Sequence, residues 1–523
     1  MAIIPGMPKK RTLQIHSKQR FALVFAVILA ILLSSLGLAW ISLESFNISA
    51  WFSFVFVSIF TVFLFWMCQR ILKQEKLPRW IVLLTSGAIL FRLILGVVWF
   101  IALPIEGYAT DVQRSGYVME DAYNRDMAAW DLAKSDQPLT VAFQGFSSTD
   151  QYGGLLFLSA AIYRYLSAEN HLPLLIVLLS ATVSGLAVIF TWAFVRRAWG
   201  DRVAVLAAWA LGLYPEAALL GSSQMREAFT IFLVPLALYG LLKFRENINI
   251  GSAILLGVAI AITVPITWAF TLSLILLLVL VYLALEDWKP LRSWRSWVVL
   301  GAIFSLLVLA LLLFVNIQDL WLVQSAKWQA YVSANASGWV ARQFERMPIY
   351  GQVPFLVIYG IFRPLLPAAL VDTGPVIWAA IGIWRALGWT ILLAMLFYAS
   401  YLAFKSKEWL RIPGALLTAN WIVVLTASYR GGGDLWDSPR YRSAFASIQV
   451  ALAAWAWVRY RETRDPWLKR AIVGGLLIIA WFIPWYLRRY TAITWPISEL
   501  YQVIGLGLIS AILFVFWDWM RQK

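Results

Sequence analysis

Apolar runs of about 20 residues recur along the chain, separated by short polar or basic stretches, which predicts membrane-spanning helices. In order they fall at 21–43, 51–68, 80–103, 172–195, 203–220, 228–242, 250–265, 270–285, 298–315, 387–404, 412–427, 444–458, 471–487 and 503–517. That is an all-α polytopic protein of about fourteen spans. Two apolar stretches do not fit the pattern. Residues 155–167 (LLFLSAAIYRYLS) are too short to cross comfortably and read as an interfacial helix. Residues 353–371 are broken by Pro364 and Pro367, and counting them as a span would place the basic KSKEWLR (405–411) on the outer side. They read as a re-entrant or interfacial segment, since broken backbone at membrane depth needs protein or a wet cavity around it.

Composition agrees with the pattern. The chain is 61% hydrophobic and 13% charged, about half the charged share of soluble domains. Many of its 30 tryptophans sit at run ends, where an amphipathic ring favours the headgroup zone. The single Cys68 leaves no internal disulfide, and two histidines, His16 and His171, argue against a histidine-based metal centre or triad. The net charge of +16 is assigned to cytoplasmic loops and anionic lipid heads and not to nucleic acid. A basic N-terminus with no small-residue cleavage site predicts an uncleaved first span. Alternation then puts both termini in the cytoplasm of a cell (inner) membrane, and most of the 27 acidic residues fall in outer loops. With no internal repeat, one domain over 1–523 is expected. In it 1–79 carries the first two helices, and 104–170, 316–386 and 430–442 form three outer loops.

Candidate chemistry concentrates in those loops. The first carries Glu106, Asp111, Glu120, Asp121, Asp126, Asp131, Asp136 and Asp150. Within MEDAYNRDMAAWDLA (119–133), a short helix starting near Asp121 would direct its N-terminal N–H groups outward and favour an anion there. The alternative is that Asp121 is a helix cap and that Asp126 and Asp131 lie on a wet face. In the third loop, Gly431, Gly432 and Gly433 permit close backbone approach, and Arg430, Arg440 and Arg442 present forks that match phosphate oxygens. The alternative there is interfacial anchoring. Arg92 lies mid-span and should pair inside the bundle with a carboxylate or a lipid phosphate, unless it is a structural ion pair or snorkels. Glu216, Arg226 and Glu227 cluster near the outer end of the fifth run and resemble a cavity wall.

These residues resemble a family. DAYNRDMAAWDLA (121–133) is similar to the first-loop motif of the GT-C membrane glycosyltransferases, the superfamily of the protein mannosyltransferases and the lipid A aminoarabinose transferase. The run 171–244 resembles the part that follows: a span ending in paired Arg, a Pro near the outer end of the next, then Ser and an acid before the return. SPRYR (438–442) is similar to an Arg-Tyr signature before a late span. Two departures stand out. Two extra spans precede the match, and Asp121 is followed by Ala122 where the family often has Glu, with Glu120 preceding instead.

The resemblance implies a GT-C-like bundle that moves a sugar from a polyprenyl-phosphate donor to a hydroxyl of a glycan, lipid or protein acceptor, on the extracytoplasmic face and with inversion. Asp121 is the favoured base, with Glu120 and Asp111 as rivals; Tyr123 and the helix after it fit the register of Asp121. Arg440, Arg442, Arg430, Arg92 and Arg226 are the expected lipid-phosphate ligands, and Tyr123, Glu216, Glu227 and Tyr441 the cavity residues. No cofactor is required, although loop carboxylates could hold magnesium or manganese. Membrane lipids are the other expected partners. The competing classes are a transporter or lipid flippase, and a polysaccharide polymerase or O-antigen ligase-like enzyme.

Overall fold

The structure, a computed structural model, describes residues 17–144, 152–247, 249–289, 294, 297, 327, 338–431, 438–491, 493–497 and 499–522. Among the described residues it is all-α. The first half contains α1 (Ser17–Leu43), α2 (Ile48–Ile71), α3 (Arg79–Glu106), α4 (Asp111–Arg114), α5 (Glu120–Lys134), α6 (Gly154–Leu166), α7 (Pro173–Trp199), α8 (Asp201–Leu213), α9 (Pro215–Gly221), α10 (Arg226–Glu246) and α11 (Ile250–Leu285). The second half contains α12 (Gly338–Arg346), α13 (Ile349–Phe362), α14 (Leu366–Ala369), α15 (Val376–Lys405), α16 (Ile412–Gly431), α17 (Ser438–Arg442), α18 (Ala446–Thr463), α19 (Pro466–Tyr490) and α20 (Leu500–Gln522).

Ten described helices are long and apolar enough to cross a membrane, and α8 with α9 makes an eleventh if that pair, bent by 53°, is one span. The expected spans map onto these elements. The run at 444–458 is α18, which carries Arg459, Arg461 and Glu462 and is not among the ten. The run at 298–315 lies outside the described residues. The runs at 250–265 and 270–285 form the single element α11, interrupted at Thr267 (φ −167°, ψ 87°) after Pro265. A straight 36-residue helix would run about 54 Å. Yet Arg245, at the end of α10 and just before α11 begins, bonds both the Leu285 carbonyl and the Glu286 carboxylate at 2.9 Å. The segment therefore doubles back at Thr267, and its turn lies at the end of the bundle where α10 starts. α6 and α13 are shorter apolar helices that fall at the two stretches not counted as spans, 155–167 and 353–371.

The centre of the bundle is α7. Its apolar residues are spread all round the helix, with no polar face to turn outward, so it is stable only when enclosed. All of its best apolar window is buried, against 17% for α1 and 11% for α20. α3, α8 and α10 pack around it. Gly200 (φ +84°) provides the left-handed residue that turns α7 into α8.

Pro215 ends the regular ladder between α8 and α9, and Arg92 of α3 meets the carbonyls left behind. Its guanidinium donates to the Leu211 and Gly212 carbonyls at 3.2 and 3.3 Å, to the Ala88 carbonyl at 3.0 Å and to Ser184 Oγ at 3.1 Å. The expected carboxylate or phosphate partner for Arg92 gives way to backbone oxygen: a broken helix in an apolar bundle needs its carbonyls satisfied.

One end of the bundle carries ion pairs that tie helix ends together: Arg197 with Glu75 and Glu246, Lys405 with Asp465 at 2.6 Å, and Arg459 with Glu408 at 2.7 Å. The other end gathers α4, α5, α6, α9, α17, the start of α10 and the turn of α11, and holds the candidate site.

Candidate functional site

α5 begins at Glu120 after Met119, with no side chain capping its start. Asp121 is therefore not a cap, and its carboxylate is available for a longer reach. That reach ends on Arg440 of α17, with Nη2 at 2.6 Å from Oδ2. Arg440 is 11% exposed, Asp121 40%. On its other side Arg440 approaches Glu227, at the start of α10, with Nε at 3.9 Å from Oε1, and it also donates to the Tyr441 hydroxyl at 2.9 Å. One guanidinium from late in the chain is thus held between two carboxylates from its first half. Arg125, one turn along from Asp121, donates to the Gln224 carbonyl at 2.8 Å and fastens α5 to the start of α10.

The electrostatics follow from this packing. Burial works against ionisation of Asp121, but Arg440, then Arg125 and Arg226, outweigh it and hold the carboxyl below its ordinary value. Burial also opposes the Arg440 charge, but Tyr441, Asp121 and Glu227 outweigh it and the guanidinium stays protonated. Asp121 and Arg440 therefore stand as an ion pair, which opposite charges at hydrogen-bond distance favour.

Beside it opens a cavity of about 370 Å³. Glu227, Arg226, Arg430 and Tyr441 form its charged and polar wall; Trp268 and Ala427, from the turn of α11 and from α16, belong to its apolar one. The Arg430 guanidinium lies 5.5 Å from the Tyr441 ring centroid, and that of Arg226 lies 4.7 Å from Tyr152. Gly154 makes the wall possible, because a Cβ there would stand 2.3 Å from the Pro265 carbonyl at the turn of α11. Phosphate-matching cations at one end of a slot with greasy walls can hold the head of an amphiphile.

Arg442 belongs elsewhere. It is 1% exposed, donates to the Gly360 carbonyl at 3.2 Å and to that of Arg363, and lies 3.3 Å from the Trp389 ring centroid. Glu216 is also engaged apart from the cluster, in a two-pronged pair with Arg385 at 2.8 and 2.9 Å. Tyr123 packs edge-on against Tyr117, ring centroids 5.4 Å apart. Asp111 is 86% exposed, with Arg114 at 4.0 Å, and Glu120 is exposed at the start of α5. Gly432, Gly433 and Asp150 lie outside the described residues. Asp121, Arg440, Glu227, Tyr441, Arg430 and Arg226 are thus brought together, whereas Arg92, Arg442 and Glu216 make the contacts given above apart from that cluster.

Sequence reasoning missed one group entirely. Asp126, allowed for on a wet face, is buried beneath α5. It accepts from the Tyr117 and Tyr163 hydroxyls at 2.5 Å each and from His171 Nε2 at 2.7 Å. Burial, then the Asp126 charge, pushes both tyrosines well above their ordinary range, so they remain donors. His171 stacks on Trp130 with centroids 5.1 Å apart. The network seats α5 on α6 and on the segment before α7, which fixes where Asp121 points. Its one legible signal was a lone histidine just before a span. For a metal ion, no group of three or more His, Cys, Asp or Glu side chains stands together among the described residues.

No family model matches this chain, and no curated protein matches it. Solved structures of the archaeal oligosaccharyltransferase AglB from Archaeoglobus fulgidus are similar to it. The apo form is 15% identical with a TM-score of 0.39, covering 82% of this chain and 54% of that one. The complex with an inhibitory peptide and a dolichol-phosphate is 14% identical with a TM-score of 0.36, over 82% and 54%. The complex with Zn and sulfate is 16% identical with a TM-score of 0.37, over 81% and 53%. The chain spans about half the length of those structures, and likeness at this level assigns it neither substrate nor mechanism.

Proposed function

We propose that this chain is a membrane glycosyltransferase that moves a sugar from a polyprenyl-phosphate carrier to an acceptor hydroxyl on the extracytoplasmic face. One observation carries the reading: Arg440 sits between the half-exposed Asp121 and the cavity-lining Glu227, beside a slot whose polar wall holds Arg430 and Arg226. The carrier's phosphate would take the arginines and its first prenyl units the apolar wall. Asp121 lies on the side of Arg440 open to solvent, where an acceptor arrives.

The step balances without a redox partner. The acceptor oxygen attacks the anomeric carbon and its proton passes to Asp121. The bond from that carbon to the phosphate oxygen breaks, and the electron pair leaves on prenyl phosphate. A single displacement inverts the sugar carbon, as in base-assisted glycoside hydrolysis. The leaving phosphate needs cations more than an acid, and fixed guanidinium groups in a partly dry site stabilise its charge. In the resting pair Asp121 is a weak base, because Arg440 holds it ionised. Phosphate arriving on Arg440 draws that charge away and raises the carboxylate's proton affinity when the acceptor is present. A divalent cation is not needed for this route; Asp121 and Glu227 are the carboxylates that could share one if Arg440 moved aside.

The test is reconstitution in proteoliposomes with polyprenyl-phosphate sugars labelled in the sugar. Label transferred to an acceptor with inverted linkage supports the reading. Label crossing the bilayer still on its carrier, with no new glycoside, would establish a flippase instead, and transfer of a whole polymer in one event a ligase-type enzyme.

A further inference from the structure

We propose a second anion site, for a phosphate group, in the arginine-lined pocket where α12 meets the end of α19 and the start of α20. The pocket encloses about 250 Å³, and Arg342, Arg346, Arg488, Arg489, Trp485 and Glu499 line it. Four guanidinium groups therefore face one carboxylate, and Glu499 is held by Arg346 at 2.7 Å. The opposite end of the same two helices differs. There Lys469 and Arg470 converge on Asp518 at 3.0 and 2.9 Å, two cations to one carboxylate where the pocket has four.

The pocket lies at the end of the bundle that carries the candidate site, because α19 starts beside the Lys405–Asp465 pair and runs away from it. If that end is the outer one, topology gives no reason for arginines to gather there. Forked donors from two helices around a small hollow suit the tetrahedral oxygens of a phosphate.

The setting favours a phosphate carried by a lipid. α19 and α20 are among the least enclosed spans, with 22% and 11% of their apolar windows buried. Ile509, Ile512 and Leu513 of α20 are exposed along its length. Tyr490, exposed at the end of α19, stands where an amphipathic ring settles at headgroup depth. A lipid whose chains lie along α20 would bring its headgroup to these arginines. The inference is independent of the transferase reading, since nothing in it requires sugar transfer.

The experiment is native mass spectrometry of the full chain in detergent, titrated with phosphatidylglycerol or phosphatidylcholine, with and without inorganic phosphate. The wild type should retain one tightly held phosphatidylglycerol in preference to phosphatidylcholine. The doubly substituted Arg342→Gln/Arg488→Gln protein should bind it more weakly, by roughly fivefold per arginine removed, while Arg70→Gln at the opposite end should not. Competition by millimolar inorganic phosphate, lost in the double variant, would support the site and identify the phosphate alone as its ligand; no competition would support the intact lipid headgroup. Arg342→Gln alone, whose side chain is exposed, covers the case in which the double variant fails to fold. Equal retention of phosphatidylglycerol in wild type and Arg342→Gln, or no preference over phosphatidylcholine, overturns the proposal.

Discussion

Asp121→Asn separates a base from a structural carboxylate. The substitution keeps shape and size but leaves an amide that cannot take up the acceptor's proton. Loss of a positioned general base costs about 10²- to 10⁴-fold in rate, or roughly 2.7–5.5 kcal/mol in barrier. The same change should barely affect folding. The pair with Arg440 is 40% exposed on the carboxylate side, and such pairs contribute about 0–1 kcal/mol; Arg440 also keeps Glu227 at 3.9 Å and the Tyr441 hydroxyl. The donor's KM should fall, because Arg440 no longer divides its charge between Asp121 and an incoming phosphate. The assay is steady-state transfer in proteoliposomes, beside a thermal melt of each protein. A kcat down at least 100-fold with an unchanged melt is expected; transfer within tenfold of wild type removes Asp121 from the base's role. The pH dependence has a definite sign. The Asp121 carboxyl lies below its ordinary 3.8 in the resting site, so it is ionised above that value and its stabilising effect is lost only as pH falls through the lowered pKa. The acid limb of kcat/KM due to Asp121 therefore falls below 3.8, and that of kcat lies higher, because bound phosphate shares Arg440.

Arg440→Gln should raise the donor's KM and move the acid limb of kcat/KM upward, since the first of the cations that hold Asp121 ionised is gone; an unmoved limb would show that the two do not communicate in the working enzyme. Arg442→Met should cost roughly 3 kcal/mol through two lost charge-assisted bonds to the carbonyls of Gly360 and Arg363, seen as a lower melting temperature with the donor's KM unchanged. Asp126→Asn puts an N–H among the hydroxyls of Tyr117 and Tyr163 and the ring of His171. It should lower kcat and stability together while KM holds, by about 1–3 kcal/mol in the melt.

Most of the helices could be read in advance because lipid and protein interior both demand apolar residues, so the runs survive whichever surrounds them. What the runs do not encode is which surrounds them. α7 and α20 are both strongly apolar, yet one is enclosed and the other exposed along its length. The break between α8 and α9 shows a different limit. Pro215 marked it, but that Arg92 would meet the freed carbonyls depends on how α3 crosses α8, which no local pattern states. Arg440 and Arg442 looked equivalent, but residues two apart on a helical turn face different ways. One therefore reaches Asp121 and the other lies over Trp389. Asp126 looked like Asp131, and only tertiary packing decided that the first is buried with three donors and the second exposed.

The most direct measurement is a cryo-EM structure of the chain with a non-hydrolysable polyprenyl-phosphate sugar. Phosphate oxygens roughly 2.7–2.9 Å from the guanidinium nitrogens of Arg440 or its neighbours Arg430 and Arg226, with Asp121 released toward the sugar, are expected. A carrier phosphate bound away from that cluster, with the Asp121–Arg440 pair intact, would contradict the central claim.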